Sequence, residues 1–132
     1  MRSSILLLGC VLLAACTSAV EPTIGESFVL AQGETAVVAA QNMEITFVDV
    51  PDDGRCHAVC VWEGNALVQL EVVRDGVELV IGLNTALVPR SALVADDLEL
   101  ALEGLEPWPT TRGSIDKRDY RATLRLELVQ LN

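Results

Sequence analysis

Behind residue 26 the chain alternates apolar and polar residues with a period of two. Tyr120, Ala122, Leu124, Leu126 and Leu128 interleave with Arg121, Thr123, Arg125 and Glu127, so an extended strand there carries its apolar groups on one face and its charges on the other. Leu98, Leu100 and Leu102 alternate in the same way with Asp97, Glu99 and Glu103. Ala66, Val68, Leu70 and Val72 alternate with Gln69 and Glu71; the pair Asp75-Gly76 and a second apolar run over 77–83 complete a hairpin signature. Further strands are expected at 27–31, 35–39 and 43–50. The stretch 85–97, interrupted by Pro89, reads as loop or a short edge strand, and 107–118 as a polar connection. About seven short strands with turn residues between them predict an all-β fold, a small antiparallel β-sandwich over 27–132 compatible with an immunoglobulin-like layout.

The amino terminus follows another rule. Arg2 precedes a short apolar core over 5–13 that ends in Leu13-Ala14-Ala15-Cys16. A core this short is well under the roughly 18 to 20 residues of a spanning helix, so the segment reads as a secretion signal. Small residues directly before a cysteine resemble the lipobox of bacterial lipoproteins. That resemblance implies a signal peptide over 1–15 and a diacylglyceryl thioether, with an added acyl chain such as palmitate, on Cys16. It also implies a location in the bacterial cell envelope; Thr17 in place of aspartate favours the outer membrane where a cell has two. Residues 16–26, with Pro22, Gly25 and small polar side chains, read as a tether.

Charge narrows the partners. The 132 residues carry 9 Lys+Arg against 19 Asp+Glu, and Arg2 leaves with the signal peptide. Such an acidic domain has no phosphate-tracking surface for nucleic acid and no polybasic patch for anionic lipid. Its membrane contact is expected to reside in the lipid at Cys16.

Unusual residue types concentrate in the loop 52–63. In an exported protein Cys56 and Cys60 are expected to form a disulfide. A competing reading joins Cys56, His57 and Cys60 to a carboxylate, Asp53 or Glu63, as metal ligands; Asp49, Asp52, Asp53 and Glu63 are also oxygen donors of the kind calcium uses. A redox pair would want a Cys-X-X-Cys spacing at a helix N-terminus, which is absent. The chain holds a single histidine, His57, and Ser18, Ser27, Ser91 and Ser114 lack a nucleophile-elbow context, so neither catalysis nor a bound cofactor is expected. The preferred function is a non-catalytic, protein-binding module of the envelope that presents Asp53, Arg55, His57, Trp62 and Glu63 on the cystine loop. A structural envelope component without a discrete ligand is the alternative, as is a protease-inhibitor-like module offering Arg55. Trp62 is expected to pack on the ring or the sandwich end, and Trp108 to cover an open edge.

The run Asp53-Gly54-Arg55-Cys56, followed by Cys60-Val61-Trp62-Glu63-Gly64-Asn65-Ala66, resembles the Asp-Ser-Arg-Cys-Pro…Cys-Val-Trp-Ala-Gly-Glu-Ala signature of small uncharacterised bacterial lipoproteins. Leu102, Leu105, Pro107 and the strand at Tyr120 extend the likeness. Here Gly54 replaces serine, His57 replaces proline, and the loop between the cysteines is shorter. The resemblance implies a lipid-anchored β-domain and carries no activity with it.

Overall fold

The computed structural model describes residues 19–110 and 114–130. The expected signal segment 1–15 and the expected lipidation site Cys16 lie outside them. Eight strands form: β1 (Ser27–Ala31), β2 (Thr35–Val38), β3 (Met43–Asp53), β4 (Ala66–Arg74), β5 (Val77–Asn84), β6 (Ser91–Ala95), β7 (Leu98–Glu106) and β8 (Arg121–Leu128). They make two four-stranded antiparallel sheets, β2-β3-β4-β5 and β1-β8-β7-β6. The expected all-β sandwich is therefore present, with β6 as an additional strand at the edge of its sheet.

The connectivity is not that of an immunoglobulin domain. Strands β2 to β5 form one continuous meander and β6 to β8 another, so the chain changes sheet only after β1 and after β5. One of these steps, from β4 to β5, is a tight turn. Asp75 and Gly76 both have positive φ (51° and 78°), the mirror-image turn whose twist suits a two-residue hairpin, and they keep β4 beside β5.

Alternation delivers the core. Ile45, Phe47, Val68, Leu70 and Leu83 from one sheet meet Leu30, Leu98, Leu100, Leu124 and Leu126 from the other, all fully buried. At about 25 cal/mol per Å² of apolar surface removed from water, this face-to-face burial is the dominant stabilising term. In β7 the alternation slips: a register shift between Leu102 and Gly104 lets Leu102 and Leu105 both point inward although they are three residues apart. That bulge aims the end of β7 at the loop described below.

The tether reading needs correction for its described part. Val20 and Ile24 pack against the core, Val37 N–H donates to the Val20 carbonyl (2.8 Å), and Gly25 N–H donates to the Leu126 carbonyl (2.7 Å). Apolar side chains at 20 and 24 gain more from burial than the segment loses in freedom, and the chain is docked from Val20 onward.

Candidate functional site

The loop 54–65 leaves β3 and returns as β4. Its stem prolongs the ladder of those strands, with Gly54 N–H donating to the Asn65 carbonyl and Cys56 N–H to the Glu63 carbonyl, both at 2.8 Å. The approach is so close that a Cβ on Gly64 would lie 2.1 Å from the Gly54 oxygen, and Gly64 has a φ of +76°. Only glycine fits there. Asn65 braces the stem from the side: its Oδ1 accepts from Ala86 and Leu87 N–H (2.9 and 3.0 Å), and its Nδ2 donates to Asn84 Oδ1 (2.9 Å).

Arg55 anchors this loop to both sheets. Its Nε and Nη2 grip Asp53 Oδ1 and Oδ2 in a two-pronged pair, each at 2.8 Å. Nη1 donates to the Leu105 carbonyl (2.6 Å) and Nη2 also to the Pro107 carbonyl (2.9 Å), both from the far end of β7. The Trp108 ring covers the guanidinium at 5.0 Å from its centroid, and its Nε1–H donates to the Cys56 carbonyl at 2.6 Å. Tyr120, at the head of β8, donates its hydroxyl to Asp53 Oδ2 (2.7 Å). Arg55 is 3% exposed as a result.

The electrostatics follow from that geometry. Burial disfavours a charged Asp53, but hydrogen bonds from Arg55 and Tyr120, joined by the guanidinium charge, outweigh it and hold the carboxyl below its usual range. Burial and the neighbouring Asp53 carboxylate push Tyr120 the other way, up to about 12.

The tip of the loop is closed by the Cys56–Cys60 disulfide, with the two Cα atoms 6.2 Å apart. Beyond Cys56 the ring is exposed. Val59 and Val61 are fully exposed, Trp62 is 56% exposed, and His57 and Glu63 face solvent beside them.

Three expectations change here, and the expected Cys56–Cys60 disulfide is present. Arg55 is not presented to a partner: the acceptors that satisfy it belong to carbonyls 50 and 52 residues away. Asp53, partly buried, is its counter-ion, with its carboxylate taken up by Arg55 and Tyr120. Trp62 is 56% exposed, and Trp108, expected to cover an open edge, packs on Arg55. The sulfurs of Cys56 and Cys60 are bonded to each other and are not free as ligands, and among the described residues no three His, Cys, Asp or Glu side chains gather around a common point. His57, Trp62 and Glu63 are each exposed on the loop. Tyr120 and Trp108 are the members that the local sequence hid, since Tyr120 reads as one more apolar position of β8 and Trp108 as a rim residue between prolines.

No protein-family model, no curated protein and no solved structure matches the chain. By themselves the fold and the site define an all-β sandwich that carries an apolar-tipped, cystine-closed loop at one end.

Proposed function

We propose that this protein is a non-catalytic binding module of the bacterial envelope, held to a membrane by lipid on Cys16, that engages a protein partner with the tip of the loop 56–63. The observation that carries the reading is the exposure of Val59, Val61 and Trp62 on a closed loop whose base is locked by Arg55. A tip already held in shape loses little ordering entropy when it binds, and a large aromatic beside aliphatic groups is the composition of an interface centre. Exposed Asp52, His57 and Glu63 flank the apolar groups, which favours a partner surface that is apolar in its middle and basic at its rim. Non-catalytic action is favoured by the sequence, in which His57 is the single histidine and Ser18, Ser27, Ser91 and Ser114 lack a nucleophile-elbow context. The inhibitor version built on Arg55 loses its support because that side chain is buried.

Lipid attachment rests on Leu13-Ala14-Ala15-Cys16, and among the described residues no helix is long and apolar enough to cross a membrane. With the chain docked from Val20, the span from Cys16 to Val20 reaches at most about 14 Å. The domain would ride close to the headgroups.

Affinity capture with the full chain in mild detergent tests the loop. Val61→Ser and Trp62→Ala should each lose proteins that the native chain recovers. If both variants recover the same set, the loop is not the recognition surface and a structural role in the envelope replaces this reading.

A further inference from the structure

Of the four sheet edges, three are short or covered. β2 is four residues long and the segment at Val20 bonds along it; β1 and β6 have five residues each, and the register of β6 breaks between Leu93 and Ala95. β5 differs on every count. It has eight residues, pairs with β4 without a register break, and carries no proline, lysine or bulge, the devices that usually blunt an edge.

The turn at Asp75-Gly76 sets which backbone groups are open. A two-residue hairpin makes Arg74 and Val77 a hydrogen-bonded pair, so residues 77, 79, 81 and 83 direct their backbone to β4. Glu78, Val80 and Gly82 then point N–H and C=O to the open side, where nothing among the described residues bonds them. Asn84 has the same parity, and its N–H is taken by the Pro89 carbonyl at 2.9 Å, which marks where the open edge stops. Side chains tell a matching story. Leu83 is fully buried and Ile81 half-buried, but Leu79 and Val77, on the same inward face, rise to 44% and 70% exposure beside Val94 and Ala95 of β6.

We propose that β5 is a self-association edge, pairing antiparallel with β5 of a second copy about a two-fold axis at Val80 to join two four-stranded sheets into one of eight. This register uses all three open residues of each copy, roughly six inter-chain bonds. It is also matched in charge. Glu78 is the sole charged residue of β5, and it falls opposite Gly82 of the second copy, which offers no side chain to repel it. A register centred on Glu78 would set two carboxylates face to face. On the inward side Val77 and Leu79 meet Leu83 and Ile81 of the second copy, covering the two apolar groups that one sandwich leaves bare. The opposing force is net charge, −10 over the full sequence, so the pairing tightens as salt screens it. This surface is separate from the cystine loop and stands whether or not the loop binds a partner.

Sedimentation of the full chain in mild detergent, from about 1 to 100 µM in low and in 0.5 M salt, is paired with amide hydrogen exchange. Expected are a monomer–dimer equilibrium that strengthens with salt and amides of Glu78, Val80 and Gly82 that become protected as the dimer forms. The Leu79 and Ile81 amides, bonded to β4, should be protected throughout. Val80→Lys sets two lysines together at the axis and should raise the dissociation constant at least about tenfold. Leu93→Lys, on exposed β6, should leave it unchanged. A chain that stays monomeric in 0.5 M salt overturns the proposal, as does a dimer that Val80→Lys does not weaken or that Leu93→Lys weakens equally. Protection of the three edge amides only when another protein co-purifies overturns it in favour of a foreign strand.

Discussion

Burying a guanidinium costs several kcal/mol unless its donors are satisfied, and at Arg55 the carboxylate of Asp53 and the carbonyls of Leu105 and Pro107 take four of the five N–H groups. Removing one side of such a pair leaves the other uncompensated. Arg55→Met should therefore lower stability by about 3 kcal/mol, the low end for a buried pair because Asp53 keeps some contact with solvent; urea denaturation measures it. Tyr120→Phe deletes a single hydrogen bond to a charged carboxylate and should cost about 1.5–2 kcal/mol by the same assay. The pH dependence has two limbs of opposite origin. The folded pKa of Asp53 is lowered, so its contribution is complete above the ordinary carboxylate value near 4 and is lost as pH falls through the folded value. That of Tyr120 is raised to about 12, so its contribution is complete below the ordinary tyrosine value of about 10 and fades as pH rises toward 12. Stability measured against pH should fall less steeply on the acid side in Asp53→Asn and on the alkaline side in Tyr120→Phe. Unchanged limbs would mean that neither group is held as the geometry implies.

Among the elements, the loop 54–65 owes its shape to a narrow stem more than to its disulfide. Gly64→Ala would force a Cβ against the Gly54 carbonyl at a positive φ, and a loss of about 2–3 kcal/mol is expected, read as a lowered thermal midpoint. The five-residue ring closed by Cys56 and Cys60 restrains the unfolded chain only slightly. By the loop-entropy relation, Cys56→Ser with Cys60→Ser should cost about 2 kcal/mol and still fold. Partner capture should suffer more than stability in that variant, because the tip carries Val59 and Val61 while the core lies elsewhere. Equal capture by the reduced and oxidised protein would show that ring closure does not serve binding.

For the whole molecule, charge and the proposed lipid would act in opposite senses. An acidic domain is repelled by anionic headgroups, so a salt wash at about 1 M, which screens charge to within about 3 Å, should not release the protein if lipid holds it. Mass spectrometry of the native protein should find Cys16 as the acylated first residue, and Cys16→Ser should move the chain from the membrane to the soluble fraction. A mature terminus beyond residue 16 would remove the anchor from this account.

How far this was readable from the sequence depends on the range of the interaction concerned. Alternation in 66–72, 98–102 and 120–128 determined strands and their buried faces, because a side-chain period of two is a property of consecutive residues. Asp75-Gly76 determined a hairpin for the same local reason, and so did the spacing of Cys56 and Cys60 their ring. β6 was harder to place, since Ser91–Ala95 is short and an edge strand needs little pattern. The partition of strands between sheets was decided only by tertiary packing, and with it the bareness of β5. Arg55 is the clearest divide. Its neighbours in sequence made it look like an exposed loop residue, and only the approach of Leu105, Pro107, Trp108 and Tyr120, 50 to 65 residues further along, supplies the acceptors and the ring that allow it to be buried.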